Sequence, residues 1–286
     1  MKTQSNDRPI TVQVYPPSPD LIPFVRHYYL LEAAPAGVAQ AIAAWTKQAL
    51  ILQYGNRIRW NVGGGMKAVP DAALNGPVTQ PYFFQTRDTI LRFFVVEFTD
   101  IGLHTLFREN VGTFVDATFD ALLTVPGRKR QLLCDALFEL DSTERKVALV
   151  ETFLRQLAPD PSELDGFRNV VGAVQEIRRS AGWIPMRKLL MKLDVSERHL
   201  RRQFREVTGL APKAFARVIR FSDALMSLVG ADRANGLYAN TYDALERSYA
   251  DQAHFNREFK EFTGYAPGNL PTNRFEMYKL FSSVTL

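Results

Sequence analysis

The chain has 286 residues, of which 46% are apolar, and this length is sufficient for two domains with separate cores. Its one cysteine, Cys134, excludes an internal disulfide and favours a reducing cytoplasm, where we expect the protein to reside. The first nine residues lack the apolar core of a signal peptide, and no run approaches the ~18 apolar residues of a membrane helix, so we predict no membrane association.

The net charge of +5 is distributed unevenly along the chain. Residues 166–275 contain 18 Lys and Arg against 11 Asp and Glu, whereas the rest of the chain contains 17 against 19. A basic excess confined to one part of a chain is typical of a segment that binds a polyanion. We therefore expect the C-terminal part to bind a polyanion through contacts that weaken as salt rises.

The front of the chain, residues 1–115, is predicted to be a β-rich domain. Residues 1–20 are polar and rich in proline, which predicts an extended lead-in. Stretches dense in aromatic and β-branched residues then alternate with turn residues such as Gly63-Gly64-Gly65 and Asn75-Gly76-Pro77. The predicted strands are 21–31, 49–54, 57–62, 81–85 and 90–98. Several short strands at this spacing favour a β-sandwich or a small barrel.

Helices with apolar residues at the helical period follow the predicted sheet. The expected helices are 101–108, 128–140 and 143–158. We assign 116–158 to a helical connector and 159–166 to a linker. The linker begins in Ala158-Pro-Asp-Pro-Ser162, where two prolines stand beside acidic and small residues, as is typical of a domain boundary.

The basic part, residues 167–275, is predicted to be an all-α domain, which makes the whole chain α+β. Apolar residues lie along one face of 167–180, and a short helix ends near Leu193. A longer helix begins after Pro212. A helix of about eighteen residues spans roughly 27 Å. If the expected polyanion is DNA, this length is of the order of one DNA turn, ~34 Å. Residues 276–286 are assigned to a tail.

A stretch of twenty residues occurs twice in this domain. Ser196–Phe215 and Asp251–Leu270 are offset by 55 positions and align without gaps. Each copy begins with a side chain that can cap a helix and contains a glycine, Gly209 or Gly264, suited to the left-handed residue that ends one. Each copy is therefore predicted to be a short capped helix. The identical pairs are His199/His254, Arg202/Arg257, Phe204/Phe259, Glu206/Glu261, Thr208/Thr263, Gly209/Gly264, Ala211/Ala266 and Pro212/Pro267.

The polar face of each copy carries side chains that bind bases and phosphates. Arg pairs bidentately with guanine, Asn and Gln pair with adenine, and all of them also hold phosphate. A lone basic helix is more often a solvated surface, but duplication with caps, ends and apolar spacing intact favours a DNA-reading role. The predicted contacts are Arg198, His199, Arg201, Arg202, Arg205, Gln252, His254, Asn256, Arg257 and Lys260.

The doubled pattern resembles the AraC/XylS family of bacterial transcription regulators, over about residues 167–275. The resemblance implies two helix-turn-helix units joined by a long helix, with both reading helices in successive major-groove segments on one face of DNA. By matching positions it implies base readers in both units. They are Arg198, Arg201 and Arg202 in the first unit, and Gln252, Ala253, Asn256 and Arg257 in the second.

The second unit departs further from the family pattern than the first. Family members usually carry glycine in the turn before each reading helix, whereas Asp194 and Ser248 stand there in this chain. Asp tolerates a left-handed backbone better than Ser does. The connection 230–236 is also a few residues longer than is usual in the family, and Asp243 stands where the family places an apolar helix residue. We therefore expect the second unit to be looser or less selective.

Two stretches of the front domain, 17–29 and 75–81, resemble an uncharacterised sensor region found in one branch of the same family. This second likeness implies a cupin-like barrel or an incomplete version of one. It names no ligand.

Aromatic residues of the predicted strands could line an apolar ligand pocket in which an arginine receives an anionic group. The alternative is an ordinary core with solvated arginines, because strands bury aromatic residues in any case. The predicted pocket residues are Arg26, Tyr54, Arg59, Trp60 and Phe84. His27 and His104 lack a second ligand at metal spacing, so we predict no metal site and no cofactor.

These features together predict a bacterial transcription regulator that binds double-stranded promoter DNA and is not an enzyme. RNA polymerase, a small-molecule effector and a second copy in a homodimer are its further expected partners. Two alternatives stay open. One is an enzyme whose β domain catalyses while the helices target it to DNA, and the other is a ligand-independent regulator whose front domain only dimerises.

Overall fold

A computed structural model of the chain describes residues 11–33, 40–53, 59–61, 66–85, 91–120, 135–137, 139–230 and 252–283. Within these ranges the front of the chain is β-rich and the C-terminal part is helical, as predicted. None of the helices there is long and apolar enough to cross a membrane.

The described strands form two antiparallel sheets. The first has the order β1-β2-β9-β4-β7-β10, and the second has the order β3-β8-β5-β6. The first sheet consists of β1 Thr11–Tyr15, β2 Val25–Ala33, β4 Ala49–Gln53, β7 Ala72–Asn75, β9 Leu91–Phe98 and β10 Thr118–Asp120. The second consists of β3 Gln40–Ile42, β5 Arg59–Asn61, β6 Met66–Ala68 and β8 Tyr82–Gln85.

Both faces of the first sheet are covered. Successive side chains of a strand point to opposite faces, so Tyr28 and Phe94 contribute to one cluster while Tyr29 and Phe93 contribute to another. The first cluster includes residues of the helices at 102–107 and 143–155. The second continues through the second sheet into the C-terminal helices. The sheet therefore lies at the centre of the molecule.

The five predicted strands are present with shifted ends, and five others were missed. The extended lead-in contains β1, which pairs with β2 along one edge of the first sheet and was not predicted as a strand. Prolines beyond Tyr15 concealed the short alternating stretch that precedes them. β3, β6, β7 and β10 have three or four residues each, too few for a periodic signal.

Eight α-helices are described. They are α1 Gly102–Phe107, α2 Thr143–Arg155, α3 Arg168–Arg179, α4 Met186–Leu193, α5 Glu197–Thr208, α6 Pro212–Gly230, α7 Gln252–Thr263 and α8 Glu276–Ser283. The predicted helix at 128–140 falls largely outside the described residues, as does Cys134, although 135–137 and 139 are helical. The predicted linker contains a short 3-10 helix, Pro161–Phe167, which Asp160 opens with a capping box.

The predicted tail is a packed helix instead. α8 lies against β3 and α6. Tyr278 stacks on Trp45 with ring centroids 6.0 Å apart, and Lys47 Nζ donates to the carbonyl oxygen of Phe281 at 2.5 Å. Tyr278 is fully buried, so its aromatic surface stabilises the joint between the domains.

A charged contact also joins the two domains. Asp100, which follows β9, forms ion pairs with Arg26 of β2 and with Arg178 of α3, the latter at 2.7 Å. Arg178 further donates to Thr46 Oγ1 at 3.3 Å. The carboxylate of Asp100 therefore connects a strand of the front domain to a helix of the C-terminal domain.

Candidate nucleic-acid interface

The first repeated stretch forms the capped helix α5. Ser196 Oγ accepts from the backbone N–H of His199 at 3.3 Å, which satisfies one free donor of the first turn. Gly209 ends the helix at φ +85°, with its N–H donating to the carbonyl of Arg205. Asp194, in the turn before the helix, is left-handed at φ +50° and makes the sharp turn that family members usually build with glycine.

Buried aromatic and aliphatic side chains orient α5. Leu200, Phe204 and Val207 face the core, and the Phe204 ring meets that of Phe215 edge-on at 5.3 Å. The opposite face is therefore turned to solvent. The exposed predicted residues of α5 are Arg198, His199, Arg201, Arg202 and Arg205.

An open groove of about 760 Å³ lies along this exposed face. Four of the predicted arginines line one wall: Arg198, Arg201, Arg202 and Arg205. The other wall is Asn110 with Gly112 and Thr113, from the short 3-10 helix Val111–Phe114 of the front domain. Sequence reasoning missed this second wall, because the three residues carry no motif and lie far from α5 along the chain.

The second repeated stretch forms α7 with the same arrangement. Phe255 and Phe259 are buried, and Gly264 follows the helix at φ +80°. Asp251 and Ser248, the predicted cap and turn residues, lie outside the described residues. Gln252, Ala253, His254, Arg257 and Lys260 are exposed, whereas Asn256 is half-buried.

The joining helix α6 holds α7 through a buried charge. Arg217 of α6 donates from Nε to Glu258 at 2.6 Å and from Nη1 to Glu261 at 3.0 Å. Glu258 is only 1% exposed, and its carboxylate also lies 3.8 Å from Nε2 of His254, a predicted DNA contact. The Arg217 guanidinium stacks 4.5 Å from the Phe262 ring centre. α6 and α7 are therefore fixed to each other by specific contacts.

The predicted ligand pocket is only partly described. Arg26 pairs with Asp100 and lines a cavity of about 410 Å³ between the two domains. Arg59 is exposed on β5. Trp60 and Phe84 are register partners of β5 and β8, with only their backbones described, and Tyr54 lies outside the described residues. Among the described residues, a small cavity of about 50 Å³ has other lining residues, including Tyr29, Trp45, Tyr82 and Phe281.

A buried ion pair lies beside that small cavity. Glu97 of β9 is 2% exposed, and its carboxylate lies 2.8 Å from Lys47 Nζ and 3.3 Å from His27 Nε2. Burial by itself would raise the pKa of Glu97, but the nearby His27 ring and the interactions with Lys47 outweigh it and lower the pKa to about 2. Within the described ranges no group of three His, Cys, Asp or Glu side chains could hold a metal ion.

Two parts of the chain match known protein families. Residues 189–272, from α4 to just beyond α7, match a family described as a helix-turn-helix domain. The C-terminal domain is an AraC-type helix-turn-helix domain. This domain match confirms the DNA-binding transcription regulation that the repeat predicted. Residues 13–120 match a domain of unknown function, DUF6597.

Two other comparisons add little. No curated protein matches the chain. The crystal structure of ToxT from Vibrio cholerae O395 aligns with 90% of this AraC-type chain and 95% of its own, at 12% sequence identity and a TM-score of 0.41.

Proposed function

We propose that this AraC-type chain acts as a regulator rather than an enzyme, and that it reads two successive major-groove segments of promoter DNA with α5 and α7. The observation that carries the proposal is the equivalence of the two helices. Both are twelve residues long, bury one apolar face and expose a polar one, and they lie on either side of α6 along the chain. α6, which lies between them in the sequence, has 19 residues.

Two kinds of contact would share the work. Arg198, Arg201 and Arg202 suit bidentate pairing with guanine, whereas Arg257 and Lys260 suit phosphates or bases of the second segment. Because the two readers are joined, the second contact becomes intramolecular once the first has formed, and their affinities reinforce each other. RNA polymerase, an effector at the front domain and a homodimeric partner belong to the same proposal.

The test is binding of the purified full chain to the DNA upstream of its own coding sequence, beside a scrambled duplex, at several salt concentrations. We expect the upstream DNA to bind at least about 10³-fold more tightly and to show a footprint over two adjacent major grooves. Equal and strongly salt-dependent binding to both duplexes would contradict specific reading of this DNA.

A further inference from the structure

The front domain contacts the two reading helices at equivalent positions of the repeat. Val207 and Phe262 are separated by the repeat offset of 55 residues. The carbonyl oxygen of Val207 accepts from Gln48 Nε2 at 3.5 Å, and that of Phe262 accepts from the backbone N–H of Ala44 at 3.1 Å. Carbonyls in the last turn of a helix have no partner within it, so each reader has its C-terminal end capped by the segment 44–48.

The glycines that end the readers meet a second segment of the same domain. A Cβ on Gly209 would lie 3.0 Å from the ring of Pro77, and one on Gly264 would lie 3.4 Å from Pro81 and from Phe83. The Phe83 ring also meets Tyr265 edge-on at 6.1 Å. Pro77 and Pro81 are only four residues apart, so these two contact points are separated by at most about 14 Å.

Hydrogen bonds hold these two segments in a fixed shape. Trp45 and Val78 exchange both backbone hydrogen bonds, at 2.9 and 3.0 Å, which joins 44–48 to 77–83. The carboxylate of Asp116 accepts from the backbone N–H groups of Thr79 at 2.5 Å and Gln80 at 3.0 Å, and from the Thr79 hydroxyl. We call residues 44–48 and 77–83, together with Asp116, the brace.

We propose that the brace sets the separation and relative rotation of the two reading helices, and so selects the spacing between half-sites that the chain accepts. This inference rests on the proposed function. A single helix between two readers can bend and twist, whereas a second connection to the C-terminal end of each reader restricts both their distance and their angle. Gln48 and Asp116 are its positioning residues, and they contact no DNA themselves.

The contacts at the C-terminal ends of the two reading helices also explain why the front domain would influence which DNA sites the chain binds. Segment 44–48 of the brace leads directly into β4 of the first sheet. Segment 77–83 begins just after β7 of the first sheet and ends in β8 of the second. A change in how these sheets pack would move Pro77 relative to Pro81, and with them the ends of α5 and α7. The stretch 75–81, which the sequence singled out without assigning a role, contains this connection.

The experiment is parallel selection from a random duplex library by the full wild-type chain and by two full-length variants, Asp116→Asn and Gln48→Leu. Asp141→Asn is the control, since Asp141 is exposed and outside the brace. The spacing between the two enriched half-sites is then read by sequencing. We expect one dominant spacing for wild type and control. In each brace variant, the preference for that dominant spacing over spacings one base pair longer or shorter should fall about fivefold, which is the effect of one ordinary hydrogen bond.

Unchanged half-site sequences with relaxed spacing would support the brace, because a merely destabilised protein would lose all sites together. The same single spacing and the same preference in both variants would overturn it. A wild-type chain that enriches no two-part site would overturn the proposed function and the inference with it. If the wild-type chain and both variants all enrich two half-sites at the same single spacing, the proposed function stands and only the role of the brace is contradicted.

Discussion

Single residues on the reading helices determine how strongly each unit contributes to binding. The structure confirms a left-handed Asp194 before α5, so the turn of the first unit is sharp as in a typical helix-turn-helix. Its arginines are exposed, whereas Asn256 of the second unit is half-buried beside the core. We therefore expect the first unit to supply more of the base contacts than the second.

We expect Arg201→Ala and Arg202→Ala each to reduce affinity for the selected DNA about tenfold or more, and more than Asn256→Ala does, because each removes a bidentate donor. A gel-shift titration measures all three. Arg145→Ala, an exposed arginine on α2 away from the groove, is the control and should bind as wild type does. Equal losses from Arg202→Ala and Asn256→Ala would refute the ranking of the two units.

Glu97 is the residue on which the buried ion pair depends. Glu97→Gln leaves Lys47 buried without its carboxylate, and we expect a loss of about 3 kcal/mol in the free energy of unfolding at neutral pH. Glu32→Gln, which breaks an exposed pair with Arg92 on the same sheet, should cost less than about 1 kcal/mol. Urea unfolding of the two variants measures the difference.

The same pair should give stability a defined pH dependence. The pKa of Glu97 is about 2 in the folded protein against 4.5 for an ordinary glutamate, so the stabilisation is complete above pH 4.5 and is lost as the pH falls toward 2. The difference in the free energy of unfolding between wild type and Glu97→Gln should therefore become smaller as the pH falls across that window. A deficit that stays constant from pH 5 to pH 2.5 would show that the charge of Glu97 does not stabilise the fold.

Elements are joined by a small number of charged and aromatic contacts, of which Arg217 is the clearest. It links α6 to α7 through a carboxylate, Glu258, that is almost completely buried. Its guanidinium also stacks on Phe262. Arg217 therefore contributes to the orientation of α7 relative to α6.

We expect Arg217→Met to lower the free energy of unfolding by about 3 kcal/mol, because it leaves a buried carboxylate without its cation. The double variant Arg217→Met with Glu258→Gln should recover part of that loss, since no buried charge remains. Arg168→Met, which breaks an exposed pair with Asp165, is the matched control. Equal destabilisation by the single and double variants would mean that packing, not charge, is what Arg217 contributes.

The whole molecule shares one apolar cluster between its two domains. Tyr29 and Phe93 of the first sheet belong to the same cluster as Phe204 of the first reader and Phe259 of the second. The Asp100 ion pairs and the packed α8 strengthen the same boundary. Independent unfolding of the two domains would expose this shared surface and is therefore unfavourable.

We expect the two domains to unfold in one transition. The chain has three tryptophans, Trp45 and Trp60 in the front domain and Trp183 in the C-terminal domain. Trp183→Phe leaves only the front signals, and Trp45→Phe with Trp60→Phe leaves only the C-terminal one. Fluorescence melting of both variants should give one midpoint, after correction by circular dichroism for the effect of each substitution. Midpoints that differ by more than a few degrees would contradict a shared core.

The local sequence was sufficient to predict the two helices α5 and α7. Caps, left-handed ends and apolar residues at helical spacing act within one turn, so Ser196, Gly209 and the face containing Leu200 predicted α5 within one residue. The repeat then carried the resemblance to the AraC/XylS family, because both copies match the pattern of that family. Strands of three or four residues carry too few positions for such a signal.

By itself, therefore, the sequence determined the helix-turn-helix domain, the β-rich front and the DNA-binding function. Only the tertiary structure decided how the domains meet: that the supposed tail packs as α8, that Asn110 faces the reading arginines, and that Gln48 and Pro77 reach the first reader. The physical reason is distance along the chain. Helix caps depend on neighbours a few residues away, whereas the contact of Gln48 with Val207 joins residues 159 positions apart and exists only once both domains have folded.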